Sequence, residues 1–491
     1  MRVDGPHVVG PQAAALALHR FGLGPQRNSI AAIATDPRGA LLEELDRPGA
    51  GQITSALPSS SEAERAVFRF QAERRAQQKL ALRAKKLADA GGGPNPFNCK
   101  QSPAADPCVP ETVVAEPEKQ DKSRRPPLPQ QLILNEAKAR FDAATGADIG
   151  FVERLVWFWS NHFCVSADKI PAMAGPYERE AIRPHILGRF ADMLQAVEGH
   201  PAMLYYLDNV QSTGPNSTAG INREKGLNEN FARETLELHT LGVRTGYTQT
   251  DVTNFAKVLT GWTWFPPFEP IHGGEFVFNP ILHEPGEQIV LGKHHADNGV
   301  QQGRAVLADL ARHPATAHHI ALELAAHFVA DDPPPALVAK LEKTFNDSGG
   351  NLKAVATTLI TANEAWTPQR TKLKPPAEWI VGVLRLTDGG PLIPIGQVMG
   401  AQAQLGAALW RPPAPNGYSD REPAWIDGVP HRLNLANQLA NRLAMGMDPL
   451  SMLDSALGPL ASAYTRDTVS RAESRAQALT LLIMSPEFLR S

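Results

Sequence analysis

Apolar side chains recur at intervals of three and four residues through most of this chain, the pattern of helices that bury one face. From Leu132 onward the signal is nearly continuous. It predicts helices over 132–145, 149–164, 176–198, 201–208, 226–242, 249–260, 299–312, 314–329, 335–346 and 351–362. Further helices follow over 375–388, 397–408, 430–445, 449–457 and 467–482. Upstream, Ala13 to Leu18 and Ser29 to Leu45 read as two short helices around a Gly-Leu-Gly-Pro turn. Only 275–279 and 288–291 look like strands, and they predict one small hairpin. The expected fold is mainly α, an irregular multi-helix body with one small β-hairpin and a long Pro/Gly-rich insertion.

That insertion is the stretch 91–130, where nine prolines and a triple glycine argue against regular structure. It divides the chain into an N-terminal helical segment (1–90), a disordered or loop insertion (91–130) and a main helical body (131–491). The end of the first segment, Ser61 to Ala90, has strong helix formers, eight basic and four acidic residues, and neither Gly nor Pro. It reads as a solvated helix. Charge changes the picture by exclusion: 48 basic against 51 acidic side chains leave a net charge of −3. There is no overall excess to hold a nucleic-acid backbone, and few aromatics interleave with the basic residues. No segment supplies the roughly 18–20 apolar residues of a membrane span. The opening 22 residues carry Asp4, two prolines and a short apolar run, unlike a secretory leader, so the location expected from sequence is cytoplasmic. Cys99 and Cys108 lie nine residues apart in the insertion, where they form a disulfide in an oxidising compartment or stay as free thiols.

Three segments carry candidate chemistry. In IGFVERLVWFWSNHFC (149–164), Phe151, Leu155, Phe158 and His162 share one helix face, which places an imidazole on an apolar stripe. It is either a core histidine bonded to main chain or an acid, base or ligand. In GLNENFARETLELHTLGV (226–243), Leu227, Phe231, Leu238 and Leu241 form the buried face of an ideal helix, and Glu234 falls inside it. A carboxylate there must be paired, protonated or metal-bound, because an isolated buried charge is too costly. Arg233 stands beside it to hold Glu234 or a substrate anion, and Glu229, Arg233 and Glu237 can form an i, i+4 ladder. His239 completes the candidate catalytic set His162, Glu234, Arg233 and His239, although an ideal helix turns it roughly 140° from Glu234. The third segment, 271–297, is rich in histidine, and His283-Glu284 sits in a tight turn before Pro285-Gly286. His162, Glu234, His283 and Glu284 are the candidate ligands for a divalent metal ion, without the HExxH spacing of a zincin.

No P-loop, no dinucleotide fingerprint and no GxSxG elbow occurs. Trp410, Tyr418 and Trp425 flank an Asn416-Gly417 turn, and they either form a sugar or peptide platform or fold back onto the core.

The strings WFWSNHFCVSADK (157–169), NENFARETLELHTLGVRTGYTQTDVTNFAKVLTGW (228–262), LHEPGEQIVLG (282–292), HPATAHHIA (313–321) and NGY (416–418) resemble the bacterial domain-of-unknown-function 1800 family. The resemblance runs from about Ala13 to the C terminus. It implies a helix-rich fold and no established activity. It also implies an export leader, hence a periplasmic alternative, and a neighbouring protein related to phosphatases and sulfatases as partner. Two functions follow. One is an enzyme, hydrolytic or oxidative, with a buried acid/base or metal site between helices. The other is a non-catalytic binding or assembly partner of that phosphatase/sulfatase-like protein.

Overall fold

The helical periodicity is realised along almost the whole chain in a computed structural model that describes residues 9–90, 126–221, 226–388, 393–444 and 448–491. Most predicted helices appear within a few residues of their expected ends, among them Phe151–His162, Gln249–Leu259, Pro314–Phe328 and Pro376–Leu386. Where one long helix was expected and two shorter ones form, a stop residue is responsible. Pro37, preceded by Asp36 whose carboxylate caps Gly39 N–H at 2.8 Å, splits Ser29–Leu45 into Ser29–Ile33 and Pro37–Asp46. The expected 176–198 helix breaks into four pieces around Pro184 and Gly188, and only Phe190–Glu198 is a regular helix of more than one turn. The 467–482 segment likewise divides into Ala463–Ser470 and Arg475–Ile483, the second capped by Ser474.

The two predicted strands do not pair with each other. Phe276–Phe278 lies antiparallel to Trp262–Trp264, with Trp262 opposite Phe278. Gln288–Val290 turns back on Lys293–His295, with Gln288 opposite His295. Each sheet is two short strands, and both lie in the stretch that follows the Gln249–Leu259 helix.

One continuous cluster of buried side chains runs from Ala13 to Leu489. Phe21, Phe151 and Phe328 meet at its centre, with Phe151 edge-on to both others. This contact clamps the Phe151–His162 helix against Pro314–Phe328, the pair on which the candidate site is built. The basic Ser60–Ala90 helix is tied down near its start, where Arg65 donates to Gly273 O at 2.9 Å, and is largely exposed from Arg69 to Lys86. Cys99 and Cys108 lie outside the described residues, as does the insertion up to residue 125. Among the described residues no helix is long and apolar enough to cross a membrane.

Candidate functional site

His162 ends the Phe151–His162 helix, buried beneath the aromatic stripe that its spacing predicts. It stacks on Phe158 and stands edge-on to Phe163. Its Nδ1 lies 2.7 Å from Glu323 Oε2, and its Nε2 lies 3.3 Å from the carbonyl of His239. Glu323 comes from the facing Pro314–Phe328 helix, which starts with Pro314 at its first position and His313 accepting from Ala315 N–H. One turn earlier on the same face is His319, with Nε2 3.6 Å from Glu323 Oε1 and 3.1 Å from Leu238 O. The His162 and His319 rings stand 6.0 Å apart. Ligand-capable atoms of His162, His319 and Glu323 all fall within 4.8 Å of one another.

Glu323 is half-buried, with 38% of its side-chain surface open to solvent. Burial pushes its carboxyl pKa up, but the charge and hydrogen bond of His162, with His319 beside it, outweigh burial and hold it below the ordinary range. Burial lowers the His319 pKa, and Glu323 offsets only part of that shift.

The third wall is the predicted 226–242 helix, and it differs from an ideal helix. Asn230–Glu234 is α-helical, but Thr235–Thr240 is a π-helix. Leu241 N–H donates five residues back to Leu236 O at 3.0 Å, and Thr240 Oγ1 donates to Thr235 O at 2.7 Å. The wider turn changes which side chains face inward. Leu236 and His239 are buried while Leu238, expected in the core, is only half-buried. His239 is thereby brought to 6.3 Å from the His162 ring, and its Nδ1 meets Glu198 Oε1 at 2.7 Å. Glu198 is fully buried on the Phe190–Glu198 helix, and its second oxygen has no hydrogen-bond partner.

The π-turn also alters the relation of Glu234 to His239. Five residues span closer to one full turn than in an α-helix, so the 140° separation expected from ideal geometry does not hold. Glu234 is half-buried, and desolvation raises its carboxyl pKa against the opposing charges of His239 and Arg233. Arg233 does not clamp Glu234. Its guanidinium bonds Glu229 Oε2 and Gln249 Oε1, each at 3.1 Å, which is the expected i, i+4 pair. His283 and Glu284 belong to another network. His283 Nδ1 is bonded to Thr260 O at 2.8 Å, and Nε2 is 3.6 Å from Asp297. Glu284 accepts from the main-chain and side-chain nitrogens of Asn216 at 2.8 and 2.6 Å. None of these partners is shared with His162, so the two residues fasten the loop to the helical body and stand outside the His162, His319 and Glu323 set.

The sequence reading singles out neither His319, Glu323 nor Glu198. A signal for the first two was present. His319, Glu323 and His327 stand at i, i+4 and i+8, one polar line on a helix otherwise rich in alanine and leucine. Glu198 leaves no comparable trace, because its partner His239 is 41 residues away.

No curated protein and no solved structure was found to match this chain. The family described as a protein of unknown function, DUF1800, matches residues 16–490, which covers the strings that build all three walls of the site. The chain belongs to the DUF1800 family.

Proposed function

We propose that this protein is an enzyme that works through a divalent metal ion held by His162, His319 and Glu323. The observation that carries the reading is the convergence of two imidazoles and a carboxylate, from two packed helices, within 4.8 Å. Two histidines and one carboxylate make a frequent catalytic donor set, because three protein ligands leave positions open for water and substrate. The surroundings suit that use. His162 turns Nδ1 to Glu323 and Nε2 to His239 O, the kind of outer contact that orients a metal-bound histidine. The open edge of Glu323 provides a route for solvent and substrate.

The reaction class favoured is metal-assisted hydrolysis, in which the ion would lower the pKa of a bound water. Glu234, whose carboxyl holds its proton more tightly than an exposed one, is the candidate proton carrier. His239, held by Glu198, orients His162 through its carbonyl. The same donor set also serves iron oxygenases, so metal identity separates the hydrolytic from the oxidative reading.

Elemental analysis of protein purified without chelator or affinity metal tests this. The expected result is one zinc or manganese ion per chain, lost in Glu323→Gln and His162→Ala, with a melting temperature that falls on chelation and recovers on adding metal. Stoichiometric iron would redirect the reaction to oxidation. Wild-type protein that takes up no metal on reconstitution, and melts identically with and without chelator, would sink the proposal and leave the binding-partner function.

A further inference from the structure

A second polar cluster lies beyond the line His319–Glu323–His327, and none of the three proposed ligands touches it. One wall is the Phe151–His162 helix, contributing Trp157, and another is His327, one turn past Glu323. The chain from 405 to 422 folds over as the roof, carrying Trp410 and Tyr418, and Trp425 follows. Between them is a cavity of about 110 Å³. At 10–15 Å³ for each water-sized group, that is room for roughly seven to eleven such groups, the scale of one substituted six-membered ring.

The cavity is fitted with polar atoms that nothing in the protein satisfies. Trp157, Arg140, Gln402 and His327 all line this space, and each has a buried side-chain atom (Nε1, Nε, Oε1 and Nε2 in that order) with no hydrogen-bond partner. Buried polar groups are almost always bonded, so four together point to an occupant. His327 is oriented for it. Asp420 Oδ2 holds Nδ1 at 2.9 Å, while the nearest carboxylate oxygen to Nε2, on Glu378, stands 3.8 Å off, too far for a direct bond.

The roof is built to keep this shape. Trp410 has φ +51°, a left-handed conformation that a tryptophan adopts only under constraint. Its carbonyl accepts from Ala167 N–H at 2.7 Å. Asn161 bonds both the N–H and the C=O of Tyr418 at 2.8 Å. Gly417, at φ +70°, passes so close that a Cβ would lie 2.6 Å from Asn161 O.

The chemistry of the walls selects the occupant. Arg140 is paired with Glu178, Glu378 lies 3.1 Å from Arg154, and Asp420 is bonded to His327, so each charge on the wall already faces an opposite one. A charged ligand would bring a charge with no counterpart into a desolvated site. Aromatic walls cover apolar C–H faces, and the isolated donors and acceptor suit hydroxyl groups, which both donate and accept. The Tyr418 and Trp425 rings are tilted 48° to each other and form no parallel slot for a flat base. We propose that this cavity binds one neutral sugar ring, its hydroxyls bonded to Trp157 Nε1, Gln402 Oε1 and His327 Nε2.

Saturation-transfer NMR and tryptophan fluorescence, with D-glucose, D-galactose and N-acetyl-D-glucosamine as probes, test the assignment. Glucuronate and adenosine serve as controls. At least one neutral sugar is expected to bind saturably, with affinity on the order of millimolar or tighter for so small a ligand. Trp157→Phe, which keeps a ring but removes the N–H, and Gln402→Met should each weaken it by about tenfold at unchanged melting temperature. Should one variant fail to fold, the other carries the test. No saturable binding of any neutral sugar, stronger binding of either control, or undiminished binding in the folded variants would overturn it. So would a crystal structure soaked in the three sugars that shows only ordered water. Because the readout is sugar binding, loss of the metal proposal leaves this one standing, and the reverse.

Discussion

Asp420 is the residue where opposing effects on a proton can be weighed most directly. Burial pushes its carboxyl pKa up, but the charge and hydrogen bond of His327, with Lys372 and Arg154 behind it, win and hold it at about 2. Unfolded, the same group titrates near 3.9. Because the folded value is the lower one, the native state binds fewer protons between the two. The resulting stability is present above about pH 4 and drains away as pH falls through about 2. The shift corresponds to about 2–3 kcal/mol, an upper figure because 28% of the side chain meets solvent, which screens the pair. Asp420→Asn should therefore cost up to that amount at neutral pH and flatten the acid limb of the stability curve. Urea unfolding from about pH 2 to pH 6 reads both, and acid limbs of equal slope in variant and wild type would contradict the assignment. Cys164, close by, behaves differently. Burial pushes its thiol up to about 12, so it is no nucleophile at neutral pH.

At the scale of elements, the centre depends on how the π-turn at Thr235–Thr240 ends. Gly242 stops it at φ +88°, and a Cβ added there would stand 3.2 Å from His319 Nδ1. Gly242→Ala should pay twice, first roughly 1–2 kcal/mol for a left-handed alanine. The second effect is a displaced imidazole that loosens the metal set, read as a lower metal content at a temperature where the variant is still folded. An alanine variant as stable as wild type and with full metal content would remove the π-turn from the design. This element also shows how far sequence reaches. The Phe151–His162 stripe was legible because 3.6-residue spacing maps directly onto a buried face. The face of 226–242 was legible only up to Glu234, since one i→i+5 turn alters every later position and leaves no periodic mark in so short a run. Two strands were visible as segments but not their pairing: neither Trp262–Trp264, the true partner of Phe276–Phe278, nor Lys293–His295 falls in any element the sequence predicts. His319 and Glu323 were readable by spacing alone, and Glu198 was not, since only the fold brings it to His239.

Across the whole molecule, position is set by buried charge as much as by apolar packing. Arg183 is fully buried and donates to both Glu153 oxygens at 2.9 and 3.0 Å, to Glu178 Oε1 at 3.1 Å and to Gly51 O at 2.7 Å. Glu178 in turn pairs with Arg140 and accepts from Ser160 Oγ and Trp410 Nε1. This one network joins the N-terminal segment, the helix bearing Trp157 and His162, the broken stretch after Tyr177 and the roof of the cavity. No sequence spacing announces it, because Gly51 and Arg183 are 132 residues apart. Replacing the arginine alone strands Glu153 wholly and Glu178 in part, and breaking one side of a buried pair costs about 3–5 kcal/mol. Arg183→Met should lose that much in denaturant unfolding. Adding Glu153→Leu removes the stranded carboxylate and should restore part of the loss, because a matched apolar pair can replace a buried ion pair at little cost. Glu178 keeps Arg140, so the double variant needs no third change. If the double variant is no more stable than Arg183→Met, the arginine acts through its bonds to Gly51 and Glu178, and the Glu153 pair is not what holds the His162 helix in place.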